Sequence, residues 1–352
     1  MNSNFVDIVG YQFEKVHTGT ITWLLDSSSA SIPQNEKYKV IRKIYELCDV
    51  PIPFECSEIQ SIKCKPESSI EKRKRVDLVI DILLKDKKTE HIVIEMKVDT
   101  IAKEDQLKAT YDGFPGRKNA LFLLFLFGSS QICEIPKHEF FNNFCLDKII
   151  SIFNNVKCRH YIYKNWIESL QNELKRSETI KHKLVNLNKI KNKEYWRENG
   201  YRTDFTAFYY LYNHLKSNSK NADHWSIYSG NNNPIMNWNP GWLEKTISDK
   251  TIKFYWEFNY ESLVLKVKLS KKGYISPEQL HQLKENISSI ASEISGIKGR
   301  IVRKQSKTTI YNSLYKWKFN FLKENFEEIM KKTEFIINNI HPQLETSKWK
   351  FE

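Results

Sequence analysis

Two runs of closely spaced apolar residues, joined by a short charged segment, dominate the first half of the chain. Arg75 to Leu84 reads R-V-D-L-V-I-D-I-L-L and His91 to Val98 reads H-I-V-I-E-M-K-V; both are rich in Val, Ile and Leu, as strands are. The K-D-K-K-T-E between them has the length and polarity of a hairpin loop. A hairpin centred on Asp86 sets Asp77 opposite Glu95 and Arg75 opposite Lys97. Side chains alternate along a strand with period two, so Asp77, Glu95 and Lys97 project from one face. Leu78, Ile80, Ile82, Ile92 and Ile94 fill the other. A slip of one residue would exchange the faces.

The same reading extends along the chain. Gln12 to Leu25 and Glu36 to Cys48 carry apolar residues at roughly helical spacing, and Pro51 and Pro53 stop the second. Ser57 to Cys64 predicts a first core strand, and Pro66 to Arg75 a polar turn ending in Glu71-Lys72-Arg73-Lys74-Arg75. Thr100 to Asp112 predicts a helix capped by Asp99 or Thr100. Lys118 to Phe127 is an apolar run bounded by turns, the mark of a strand buried on both faces. A helix between it and the preceding strand supplies the crossover that parallel pairing needs. Pro136 to Leu174 predicts helices. Residues 176–203 are polar and basic and predict a helical linker between a domain of residues 1–175 and an α+β domain of residues 204–352. In that last part, Asp204 to Leu215 and Pro277 to Ile294 predict helices, Lys253 to Phe258 and Leu263 to Leu269 a hairpin, and Gly299 to Lys304 a strand. Tyr311 to Ile340 predicts a further helical stretch, and Tyr315-Lys316-Trp317-Lys318-Phe319 interleaves rings and cations in a way suited to stacking on bases.

Composition adds bounds. The 352 residues suffice for two domains, and 40% are hydrophobic, enough for a sizeable core. The 55 Lys and Arg outnumber the 42 Asp and Glu, a net charge of +13 that suits a polyanionic partner. The six cysteines form no C-x-x-C pair, so a zinc site is not expected. The chain opens without a basic and apolar leader, and its longest apolar run, Ala120 to Phe127, is far too short to span a bilayer. A cytoplasmic protein with free thiols and no membrane partner is the expectation.

The chemistry lies at the end of the first hairpin. Two adjacent carboxylates repel unless a cation compensates. Such oxygen ligands suit Mg²⁺ or Mn²⁺, which keep several waters and are completed by substrate phosphate. A lysine two residues after a carboxylate reaches the same face, an arrangement suited to phosphodiester hydrolysis. Asp81 shares the face of Asp77 but lies roughly 13 Å along the strand, too far to ligate the same ion.

Asp77 with Glu95-Met96-Lys97 resembles the core signature of the PD-(D/E)XK nuclease superfamily, the restriction-endonuclease-like fold. Gln106-Leu107 resembles the helix that follows the core strands in many members. Phe13-Glu14-Lys15-Val16-His17-Thr18 with Trp23-Leu24-Leu25-Asp26 resembles the N-terminal helix of one bacterial branch. The likeness spans roughly residues 10–130; Val76 stands where the superfamily name has Pro, and Tyr111 lies five residues after Gln106 instead of four.

The resemblance implies an α-β-β-β-α-β core with a mixed central sheet flanked by helices. It implies a metal-dependent endonuclease hydrolysing DNA, active in bacterial restriction or phage defence. Asp77 and Glu95 would hold Mg²⁺, with Mn²⁺ able to substitute and Glu14 assisting; Lys97 would serve the attacking water and the developing charge, and Gln106 would orient water or ligands. His17 is expected in a structural role. Arg73, Lys74 and Arg75 would grip phosphates. The alternatives are a non-catalytic nucleic-acid-binding or assembly module on the same fold, or a nuclease directed at RNA; self-association is left open.

Overall fold

The computed structural model describes residues 4–71, 74–132, 139–185, 187–230, 233–292 and 297–351, and the statements below concern those residues. They form an α/β protein of two compact units. The first comprises Met1–Lys181 with Lys193–Thr206, and the second His182–Asn192 with Ala207–Glu352. The segment expected as a separate linker is thus shared out between the two. Helix α6 (Tyr161–Val185) runs through position 175 without a break, and α7 (Lys193–Glu198) belongs to the first unit.

In the first unit, α1 (Phe5–Val9), α2 (Glu14–Leu25) and α3 (Gln34–Leu47) precede β1 (Ile59–Glu71), β2 (Lys74–Leu84) and β3 (Thr89–Lys97). Then come α4 (Glu104–Gly113), β4 (Ala120–Leu126), β5 (Phe141–Phe144) and α5 (Leu146–Phe153). The described strands make a five-stranded sheet in the order β1-β2-β3-β4-β5. Its first two pairings are antiparallel and its last two parallel, with α4 crossing between β3 and β4.

The hairpin register is the expected one: Leu78 pairs with Ile94, Val79 with Val93 and Ile80 with Ile92. Leu78, Ile80, Ile82, Ile92 and Ile94 share one core with Ile21, Leu24, Ile41, Ile44, Phe125 and Trp166 from β4 and the covering helices. Each such fully buried side chain contributes roughly 1.5–3 kcal/mol. A one-residue slip would turn this set toward the other face and bring Asp77, Asp81 and Glu95 into its place, which pins the register. The opposite face is covered too: Val79, Val93, Phe122 and Leu124 pack with Leu107 of α4 and Phe114.

Three expectations in this unit change. Pro66 to Glu71 is strand, not turn, because β1 lies at the sheet edge, where a proline's missing N–H costs no ladder bond. Arg75 is therefore a residue of β2, paired with Ser69. Helix α4 starts later than expected, with Lys103 at its N-cap position, since the Asp99 carboxylate is taken by Ser129 and Arg202. Phe141 to Phe144, expected as helix, forms β5 against β4; four residues are too few for periodicity to separate the two states.

The second unit contains α8 (Phe205–Ser217) from Ala207 onward, β6 (Trp225–Ser229), β7 (Pro234–Ile247), β8 (Lys250–Asn259), β9 (Ser262–Lys268), α9 (Pro277–Ser292), β10 (Gly299–Ile301), β11 (Tyr311–Lys318) and α10 (Phe326–Thr346). Its described strands form an antiparallel six-stranded sheet, β10-β11-β9-β8-β7-β6. The expected hairpin around Tyr260 is present, with Tyr260 itself at φ 52° in the turn. Of the helical stretch expected from Tyr311 to Ile340, the part from Phe326 is helix α10, but Tyr311–Lys318 is strand β11. Its alternation sends Tyr315 and Trp317 into the core, 6% and 1% exposed, so these rings cannot stack on bases. No helix among the described residues is long and apolar enough to cross a membrane.

Candidate active site

Three elements bring charged side chains to one place. Asp77 comes from β2, Glu95 and Lys97 from β3, and Glu14 from the first turn of α2. The Lys97 ammonium lies 3.7 Å from Glu14 Oε1, 4.0 Å from Asp77 Oδ2 and 3.8 Å from Glu95 Oε2. It also donates to the Met96 carbonyl at 2.8 Å. Asp77 Oδ2 accepts from the Met96 amide at 2.7 Å, which fixes that carboxylate against the backbone of β3 where the ladder ends. All four residues expected to carry the chemistry on this hairpin and helix are therefore neighbours.

Their environments differ. Glu95 is 1% exposed. Burial, and then the Asp77 carboxylate beside it, push its pKa well above the ordinary carboxylate range, while Lys97 pulls the other way. Burial also raises Glu14, against the attraction of Lys97 and with the repulsion of Asp77. Helix α4 supplies two donors to Glu95: Thr110 Oγ1 at 3.2 Å and, at the outer limit of a hydrogen bond, Gln106 Nε2 at 3.5 Å. Gln106 was legible; Thr110 was missed, although its place four residues on puts it on the same helix face. Tyr111 plays no part here and stacks on Phe140 at 3.8 Å.

Glu14 and Asp77 open into a cleft of about 700 Å³ that Lys15, Thr18 and Glu67 also line. At its rim Glu67 pairs with Lys15 at 2.9 Å and with Arg75 at 3.5 Å. Arg75 thus stands near the cleft, already sharing a carboxylate. Arg73 falls outside the described residues, as does the side chain of Lys74. Asp81 is engaged elsewhere, by Lys65 and by His91 Nδ1.

His17, next to the site in sequence, is wholly buried and structural. Its Nδ1 accepts from the Trp166 indole N–H at 3.1 Å, so Nε2 carries the proton and donates to the Tyr11 carbonyl at 2.9 Å. The ring stacks on Phe127 at 4.0 Å. A second buried cluster steadies the end of β3. Arg202 forks onto Asp99 at 2.7 and 3.0 Å and onto Glu173 at 2.6 and 2.8 Å, and lies 4.7 Å over the Tyr11 ring. This arginine, counted in the basic linker from its sequence neighbourhood, is spent on internal carboxylates.

Among the described residues no three His, Cys, Asp or Glu side chains form a ready ligand set for one ion. The donor chemistry nonetheless suits Mg²⁺, which is commonly held by one or two carboxylates, with waters and substrate phosphate completing the shell. Asp77 and Glu95 are two such carboxylates, close enough that a proton or a cation must offset their repulsion. Compared with protein-family models, curated proteins and solved structures, the chain matches none.

Proposed function

We propose that the first unit is a metal-dependent phosphodiesterase acting on DNA, with the restriction-endonuclease-like arrangement that the PD-(D/E)XK signature implies. The observation that carries this reading is the meeting of Asp77, Glu95 and Lys97 at about 4 Å, at the end of a hairpin and beside an open cleft. The α-β-β-β-α-β order of α3, β1, β2, β3, α4 and β4 agrees with it. Asp77 and Glu95 are the ligands for Mg²⁺ or Mn²⁺, and Glu14 lies close enough to Lys97 to complete the charge balance. A divalent cation bound there supplies Lewis acidity toward a phosphate oxygen.

The protein's own part is positioning and charge. Asp77 is clamped by the Met96 amide, and Glu95 by Thr110 and Gln106. Lys97, 11% exposed at its side chain, holds its ammonium among Glu14, Asp77 and Glu95, where it would oppose the negative charge developing on a phosphate bound beside them. Resemblance to a bacterial nuclease branch makes restriction or phage defence the setting, a step taken by analogy.

The test is cleavage of supercoiled and linear DNA, and of RNA, with Mg²⁺ or Mn²⁺, by the native chain and by Lys97→Ala. Metal-dependent cutting of DNA that falls at least about a hundredfold in Lys97→Ala is the expected result. Cutting that survives Lys97→Ala would refute the site. Cutting of RNA alone would replace the substrate. DNA bound but left intact by the native chain under both metals would make this unit a binding module.

A further inference from the structure

The sheet of the second unit has two unlike faces. Phe254, Trp256, Phe258, Leu263, Leu265, Val267 and Trp317 lie on the apolar one, all of them buried. The other carries Ser262, the buried Val264, Lys266 and Lys268 on β9, with Lys266 paired at 3.0 Å to the buried Glu257 of β8. Opposite them across the ladder on β11 stand Lys318, Lys316, Ser313 and Tyr311 in turn. A bulge between Ser313 and Tyr315 shifts the alternation by one, and this keeps Tyr311 on the same face as Lys316 and Lys318. On β10, Arg300 pairs directly with Lys316.

That pairing is unfavourable by itself. Like charges directly opposite on neighbouring strands destabilise a sheet. Here Arg300, Lys316 and Lys318 adjoin, and no ion pair engages any of them among the described residues. Burial, then Arg300, Lys318 and Arg303, lower the pKa of Lys316. Lys191, Tyr260, Lys316 and Lys318 line a cleft of about 330 Å³, with the Lys191 ammonium 3.9 Å over the Tyr260 ring. Glu261 is the carboxylate in that lining, and burial raises its pKa although Lys318 and Lys189 oppose the shift.

Further along the face the cations meet exposed rings. Trp242 and Tyr311 are 43% and 52% exposed. Lys268 lies 5.7 Å from the first and 5.8 Å from the second. Trp242 stacks flat on Tyr255 at 4.7 Å, which holds its ring in place. From Lys318 to Tyr311 this track runs roughly 20 Å along β11.

We propose that this face of the second unit is a binding track for single-stranded nucleic acid, with Lys191, Lys316, Lys318 and Arg300 on phosphates and Trp242 and Tyr311 stacking on bases. Unpaired cations relieved of mutual repulsion by phosphate give the affinity, and ring faces that any base can cover give tolerance of sequence. An acidic polypeptide would match the charge but offer nothing flat to the rings. A duplex keeps its bases stacked inside and would leave them idle as well. The track does not depend on the first unit's chemistry, because binding without metal involves no cleavage.

The experiment is fluorescence anisotropy with a labelled 12-residue oligothymidine and the full chain in EDTA. Lys316→Gln with Lys318→Gln is expected to weaken binding at least tenfold and to lower the slope of log affinity against log salt by about 1.4, two lost phosphate contacts. Tyr311→Ala is expected to weaken the strand several-fold and a duplex of equal length not at all. Lys164→Gln with Lys175→Gln, the same charge change on exposed positions of α6, is expected to leave binding within threefold. The Lys316/Lys318 variant relieves repulsion, so it should melt no lower than the native chain, which separates lost binding from lost folding. Equal affinity in that variant would overturn the proposal. So would displacement of the strand by thymidine monophosphate or polyglutamate at matched charge concentration.

Discussion

Acidification from pH 7 to pH 5 is expected to weaken the fold through His17, by an amount that follows from the ring's surroundings. The imidazole is 0% exposed, its Nδ1 lone pair is occupied by the Trp166 N–H, and both its faces and edges meet protein. Burial pushes its pKa down to about 3, outweighing the opposing bond to the Tyr11 carbonyl. In the unfolded chain the same ring titrates near 6.5. The unfolded state therefore takes the proton first. His17 costs the fold nothing above about pH 7, and stability falls as pH drops through 6.5 toward 3. At pH 5 the loss from this one ring is roughly 2 kcal/mol, a large share of an ordinary net stability.

Urea unfolding at pH 7 and pH 5, on the native chain and on His17→Gln, isolates the effect. Glutamine offers an acceptor and a donor but does not titrate, and the carboxylates that also protonate at pH 5 are common to both chains. The native chain should lose roughly 2 kcal/mol more than the variant between the two pH values, even if the variant starts lower for want of the Phe127 stack. Equal losses would refute the buried neutral ring. As a check on the native chain alone, the His17 ring resonances should stay those of the neutral Nε2–H tautomer down to pH 5.

Two further outcomes are expected, beside those given for Lys97 and for the basic sheet face. Asp99→Ala leaves Arg202 with Glu173 alone; removing one partner of such a buried ion group costs about 3–5 kcal/mol, read as a drop in urea stability. Mg²⁺ at about a hundred times its dissociation constant should stabilise the native chain by about 2.7 kcal/mol in thermal melts, and Asp77→Asn should abolish the shift; an equal shift in that variant would place the ion elsewhere.

The hairpin that carries the candidate site was readable because its two strands are neighbours in sequence. With a loop of known length, the pairing Leu78–Ile94 and the faces of Asp77, Glu95 and Lys97 follow from period-two alternation alone. The apolar run in β4 was equally plain, since a strand buried on both faces has no polar position to interrupt it. Strands β5 and β11 were not readable. Phe141–Phe144 is too short to show a period, and the bulge in Tyr311–Lys318 breaks the one it has. Each exists because a distant strand, β4 or β9, offers hydrogen bonds.

The same division holds for side chains. Residue type and spacing determined that two carboxylates and a lysine share the end of a hairpin, and that Gln106 follows on a helix. Only the tertiary structure decided that Thr110 donates to Glu95, that Glu14 completes the ring of charge around Lys97, and that Arg202 is spent on Asp99 and Glu173, 103 and 29 residues away. It also turned Trp317 inward and left Lys316 and Lys318 outward beside Arg300. The physical reason is range. Alternation and helical spacing are written in adjacent residues, whereas burial, pKa and the partner of a charge depend on which distant segments close over it.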